Sequence, residues 1–158
     1  MNKTLIAAVL TIFTTISISA VYADSIGRSK VIPSVINANQ FPSRKARFAR
    51  HTIRIHIPPE SRGISELSIE IPAGVIIKND ITVHNKSGQK FEVNSSINET
   101  RVTLDFPEGF VPQEILEIEL NKVILPRFYP IWRYRVYAKL EDSNIELSIG
   151  VAEVRTRL

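Results

Sequence analysis

From residue 51 onward, apolar and polar side chains alternate along the chain. In His51-Thr52-Ile53-Arg54-Ile55-His56-Ile57 the isoleucines occupy every second position, so they share one face of a strand. Pro58-Pro59 closes the run, because neither residue can donate to a ladder. Leu67, Ile69 and Ile71 repeat the pattern up to Pro72-Ala73-Gly74. Ile81-Thr82-Val83 leads into Asn85-Lys86-Ser87-Gly88, with Phe91 and Val93 beyond, which reads as a hairpin with its glycine at positive φ. Val102, Leu104 and Phe106 form another strand, ending at Pro107-Glu108-Gly109. Residues 114–122 carry two signals. Their Glu, Leu and Lys content suits a helix, whereas Leu116, Ile118 and Leu120 alternate with Glu117 and Glu119, as in a strand. Pro112 and Pro126 bound the segment tightly and its neighbours are strands, so a strand is expected. Trp132, Tyr134, Val136 and Ala138 share one face opposite Arg133, Arg135 and Tyr137. A turn at Asp142-Ser143-Asn144 precedes Ile145, Leu147, Ile149 and Val151, and Gly150 marks a bulge or a close backbone approach.

The pattern predicts an all-β fold of seven or eight short strands, with turn signals about ten residues apart. An immunoglobulin-like antiparallel β-sandwich fits best. The chain has no cysteine, so the Cys…Trp…Cys core of antibody domains is absent, and Trp132 takes the place of the central core aromatic.

The first residues follow a different rule. Met1-Asn2-Lys3 is positively charged, and an apolar run of 16 residues extends from Leu5 to Ala20. This is shorter than the ~20 residues a spanning helix needs. Val21-Tyr22-Ala23 places small residues before a cut between Ala23 and Asp24. Residues 1–23 are therefore expected to be a signal peptide, with a retained anchor as the other reading. Export would be to the periplasm, the extracellular space or the thylakoid lumen, with no transmembrane span after cleavage. Residues 24–50 read as a basic N-terminal arm and residues 51–158 as the β-sandwich domain. The arm has six basic residues against Asp24, a net +5, while residues 51–158 carry 13 basic and 15 acidic groups, a net −2.

Arg44, Lys45, Arg47 and Arg50 are the candidate contacts to an anionic surface, whether an envelope protein, a polymer or a lipid surface. The plainer reading is a solvated lead-in, part of which adds an edge strand. Export disfavours nucleic acid, although the basic run would otherwise suggest it. The absence of cysteine excludes disulfides, thiolate metal sites and cysteine nucleophiles, and the sole methionine is Met1. Among the histidines, His51 and His56 are five apart and face opposite sides of one strand. His56 and His84 are the weak candidates for a metal site, if they meet across strands beside a carboxylate such as Asp80 or Asp105. Otherwise they are surface histidines, and no cofactor is expected. No nucleophile elbow, His-Glu-x-x-His or phosphate loop occurs, and Asp105 and Glu108 flank a proline turn, so no enzyme is expected. Asn85, Asn94 and Asn98 open glycosylation sequons that matter only in a eukaryotic secretory pathway. Of the clustered aromatics, Trp132 and Tyr134 are expected in the core, Phe128 and Tyr129 as a loop plug, and Tyr137 outside.

Several blocks occur in a specific order: Ile53-x-Ile55-x-Ile57-Pro58-Pro59, Leu67-x-Ile69-x-Ile71-Pro72 and Val83-x-Asn85-x-x-Gly88-Gln89. Val102-x-Leu104-x-Phe106, Trp132-x-Tyr134-Arg135-Val136-Tyr137-Ala138 and Ile149-Gly150-x-Ala152 follow. This order resembles the domain of unknown function 2808 family, known from cyanobacteria as small proteins with signal peptides. The resemblance covers about residues 51–155. It implies a bacterial envelope or thylakoid-lumen setting and brings no activity and no catalytic residues. The sequence thus reads as an exported, non-catalytic envelope protein acting as a binding or scaffolding module. The alternative is a periplasmic, copper-carrier-like metal-binding sandwich.

Overall fold

The computed structural model describes residues 31–110, 115–126 and 130–157. The expected cleavage point at Ala23 and Asp24 lies outside these residues, as do Phe128 and Tyr129. In chain order the strands are β1 (Ser34–Phe41), β2 (Ala49–His56), β3 (Ile64–Glu70), β4 (Ile76–Ile77), β5 (Ile81–Asn85) and β6 (Lys90–Phe91). They continue with β7 (Asn94–Ile97), β8 (Arg101–Phe110), β9 (Ile115–Ile124), β10 (Ile131–Leu140) and β11 (Glu146–Arg155). One sheet runs β1-β2-β9-β5-β6, with β4 also paired to β9, and the other runs β11-β10-β3-β8-β7. All the strand pairs in both sheets are antiparallel.

The sheets pack face to face over one interior. Ile53 and Ile55 from β2, Leu116, Ile118 and Leu120 from β9 and Val83 from β5 meet Leu67 and Ile69 from β3, Leu104 from β8, and Tyr134 and Val136 from β10. Each fully buried Leu or Ile contributes roughly 1.5–3 kcal/mol relative to an exposed one. The segment with two signals is a strand. Leu116, Ile118 and Leu120 are fully buried, while Glu117 and Glu119 face outward. A helix would forfeit the ladders that β9 shares with β2 on one side and with β5 on the other.

Eleven strands are described, where alternation predicts seven or eight. The three that alternation misses are β1, β4 and β7, each for its own reason. The register of β1 shifts between Val35 and Asn37, which breaks the two-residue period. β4 is only two residues long. β7 reads Asn-Ser-Ser-Ile on a sheet edge, where a strand can be polar. Of the two readings of the lead-in, the structure has the one in which part of it adds an edge strand, so the boundary at residue 51 moves toward the N-terminus. β1 pairs with β2 from Ser34 opposite His56 to Phe41 opposite Arg50, so the sandwich includes the second half of the basic arm.

Two glycines take the strained positions expected of them. Gly88 closes its hairpin at φ +86°. Gly150 sits at φ +135°, opposite a register shift between Val136 and Tyr137. A Cβ at Gly150 would lie 3.1 Å from Val35 Cβ, so β1 and β11, the edge strands of the two sheets, close on one another there. Trp132 and Tyr134 are buried as expected. Tyr137 is half-buried beneath the Arg101 guanidinium, which stands 5.4 Å from its ring centre.

Ile118→Ala should lower stability by about 2–5 kcal/mol, as for other large-to-small core changes, when urea midpoints are compared. Gly150→Ala should cost about 1–3 kcal/mol, because it adds backbone strain to the contact with Val35. A neutral Gly150→Ala result would show that the β1–β11 approach is loose.

Candidate functional site

The end of β1 and the last described residues of the chain meet at one corner of the sandwich. Gln40, near the end of β1, organises it. The Gln40 Nε2 amide donates to Pro42 O (2.9 Å) and more weakly to Arg44 O (3.3 Å), which fixes the amide with Oε1 as acceptor. Oε1 then accepts from Thr156 Oγ1 at 2.7 Å and from His51 Nε2 at 3.1 Å. His51 Nε2 must therefore carry the proton, leaving Nδ1 as acceptor for the Tyr134 hydroxyl at 2.7 Å. Tyr134, His51, Gln40 and Thr156 form one buried polar chain whose members come from β10, β2, β1 and the residue just after β11. Burial holds His51 neutral, lowering its pKa to about 4, and pushes the Tyr134 phenol up. A neutral imidazole between a hydroxyl donor and an amide acceptor is a structural joint. Its ring nitrogens are both engaged, so it offers none to a metal.

The joint holds a basic rim. Arg157 N donates to Ser43 O at 2.8 Å, and Arg44 forms a parallel bridge with Arg157. A groove of about 710 Å³ opens beside them, lined by Gln40, Ser43, Arg155, Thr156 and Arg157 and by Glu153, whose carboxylate is taken up by Arg133 and Arg155. Arg44, Lys45, Arg47 and Arg157 are exposed, with no carboxylate within 4 Å among the described residues. The Arg47 guanidinium lies 5.4 Å from the centre of the Phe48 ring. Arg50, the fourth expected contact, is instead drawn over the sheet. It pairs with Glu119 at 3.5 Å and lies over the Phe41 ring at 5.5 Å.

The expected meeting of His56 and His84 does not occur. His56 stands opposite Ile115 and His84 opposite Glu117, so β9 lies between them. His56 is exposed, while His84 bonds Asn85 O at 3.0 Å and faces Glu119 at 3.6 Å. Glu117 is already held by Arg54 at 2.7 Å, and Asp80 by Lys122 at 2.8 Å. The described residues include no group of three or more His, Asp or Glu that could hold a metal. No helix among them is long and apolar enough to cross a membrane.

Sequence reasoning named Arg44 and Lys45 but missed Gln40, Thr156 and Arg157. Thr156 is 116 residues from Gln40, and no local pattern joins them. Only the register of β1 on β2 and of β10 on β11 brings these residues to one corner.

No family model and no curated protein matches the chain. Solved structures share the fold. The chain is similar to the N-terminal domain of a Streptococcus gordonii adhesin, with 8% identity, TM-score 0.55, and 82% of this chain and 33% of that one covered. It is similar to BslA, a bacterial hydrophobin, with 15% identity, TM-score 0.55, and 79% and 98% covered. It is also similar to a variant of the major pilin subunit of Bacillus cereus, with 12% identity, TM-score 0.53, and 78% and 40% covered. The chain thus spans about a third of the adhesin structure and nearly all of the hydrophobin.

The His51 joint makes stability depend on pH. Between pH 6.5 and about 4 the unfolded chain binds a proton at His51 that the folded chain refuses. Stability present above pH 6.5 is therefore lost as the pH falls toward about 4, by about 3 kcal/mol at most from this group. Urea unfolding across this window should show the loss, and His51→Gln should flatten the slope. An equal slope in both proteins would assign the acid sensitivity to other groups.

Proposed function

We propose that the chain is an exported, non-catalytic envelope module that binds an anionic partner through the basic corner of its sandwich. One observation carries the reading. On the long strands, most cations are neutralised in place: Arg54 by Glu117, Arg101 by Glu70 and Glu146, Arg133 by Glu153 and Lys139 by Glu66. The cations elsewhere without an ion pair among the described residues, Arg62, Lys78, Lys86 and Lys90, are not joined to one another by a bridge. At the corner the backbones of Arg44 and Arg157 are bridged, with Lys45 and Arg47 adjoining, and none of the four has a carboxylate within 4 Å among the described residues. Placing like charges together is unfavourable unless an anion from outside completes the set.

The names of the similar structures, an adhesin domain, a hydrophobin and a pilin subunit, support a surface-binding or scaffolding role. The immunoglobulin-like assignment of the sandwich is part of this proposal. So are kinship with the domain of unknown function 2808 family and residence in the periplasm, the extracellular space or the thylakoid lumen. The signal-like start at residues 1–23 supports export. The metal-carrier alternative loses its footing, because the histidine pair it needs is separated by β9.

Retention on an immobilised polyanion tests the reading. Arg44→Glu combined with Lys45→Glu should elute at clearly lower salt than the unsubstituted chain. Lys86→Glu combined with Lys90→Glu makes the same charge change on the distant β5–β6 hairpin and should shift elution much less. Equal shifts in both variants would mean that only net charge matters, and the corner would not be a site.

A further inference from the structure

We propose that the segment joining β1 to β2 docks on an anionic lipid bilayer, with Phe41 and Phe48 entering the interface and Arg44, Lys45 and Arg47 at the headgroups. This rests on the basic-corner reading and names its partner. The chain exposes two phenylalanines within eight residues, Phe41 at 67% and Phe48 at 45%. Phe41 directly follows Gln40, whose side chain is buried in the polar joint, so strand alternation turns the ring outward. All three uncompensated cations of this segment lie between the two rings in sequence.

The rings and cations are coupled. The uncompensated Arg47 guanidinium stands 5.4 Å from the Phe48 ring centre, and Arg50, already paired with Glu119, packs at 5.5 Å from the Phe41 ring centre and supports it. A bilayer interface accepts this combination, because phosphates meet the guanidinium groups while the rings leave water just beneath them. A soluble polyanion satisfies the cations but leaves the rings hydrated. A neutral apolar surface satisfies the rings but strands the cations. Stable peripheral attachment needs two such signals acting together.

The segment is also held in place before it meets a partner. Gln40 Nε2 binds the carbonyls of Pro42 and Arg44, and Ser43 O is held by Arg157 N at 2.8 Å. A fixed segment loses less conformational entropy on docking than a free loop does. Arg157, bridged to Arg44, adds a further cation to the same rim.

The test compares the exported chain with variants carrying the same N-terminus. The assays are co-sedimentation with vesicles of phosphatidylglycerol in phosphatidylcholine and retention on a soluble polyanion. Arg44→Glu with Lys45→Glu should weaken binding to both by roughly tenfold or more, since each basic residue near an anionic surface is worth about 1 kcal/mol. Phe41→Ser with Phe48→Ser should weaken vesicle binding several-fold and leave polyanion binding unchanged. Both rings are exposed, so the fold should tolerate the change, and thermal unfolding checks this. Phe41→Trp gives a second readout that does not rely on loss. Its emission should shift to the blue on anionic vesicles but not with the polyanion, against the constant signal of buried Trp132. If the serine variant binds vesicles like the unsubstituted chain and the tryptophan emission does not move, lipid docking is overturned while the basic corner stands. If the charge variant binds both partners normally, the basic-corner reading fails, and the lipid proposal fails with it.

Discussion

β9 must be apolar on one face and wet on the other, and the sandwich is arranged around that constraint. Its backbone is hydrogen-bonded along both edges, to β2 on one side and to β5 and β4 on the other. Its inward residues Leu116, Ile118 and Leu120 are fully buried against the second sheet. The intervening Glu117 and Glu119 then have only the outer face, where Arg54, Arg50 and His84 meet them. Such half-exposed pairs are worth at most about 1 kcal/mol each, so they choose the outer face more than they stabilise it. The stability lies in the apolar face. A one-residue slip would exchange the two faces and bury the carboxylates.

The same constraint leaves edges, and the molecule closes one of them at a corner. β1 and β11 approach closely enough that a Cβ at residue 150 would press on Val35 at 3.1 Å, on a backbone at φ +135° that already favours glycine. Along the same corner the apolar interior gives way to the polar chain from Tyr134 through His51 and Gln40 to Thr156. Each of these groups would be costly to bury alone, and here each finds a partner with matched donor and acceptor roles. The arrangement ties both sheets to the end of β1, and thereby sets the position of the segment that follows it.

The charges divide in the same way. Where the strands are long and neighbours lie in register, basic residues find acidic ones directly opposite, as Arg54 finds Glu117 and Arg133 finds Glu153. At the corner the chain leaves the ladder, and Arg44, Lys45, Arg47 and Arg157, from two distant segments, have no carboxylate within 4 Å among the described residues. The four basic residues of 31–50 are therefore part of the sandwich surface and not a separate tail.

The two-residue alternation determined the class of fold and the buried faces of β2, β3, β8, β9 and β10, because side-chain period in a strand is local chemistry. In β11 the shift at Gly150 breaks the expected face, leaving Val151 exposed and burying Ala152 and Val154 instead. The sequence also marked Gly88 and Gly150, the first by the polar turn it closes and the second by interrupting an apolar run. The strand signal failed for β1, β4 and β7, where a bulge, brevity or polar edge residues erase the period. Of the basic corner, the sequence showed Arg44, Lys45 and Arg47 as a run in a lead-in read either as a basic arm or as a segment that in part adds an edge strand, and did not place them in the fold. Gln40 as a hub, the neutral His51 joint and the pairing of Arg44 with Arg157 were settled only in the tertiary structure. They depend on which strands become neighbours, and that choice is made by packing two whole sheets together, a condition no short stretch of residues contains.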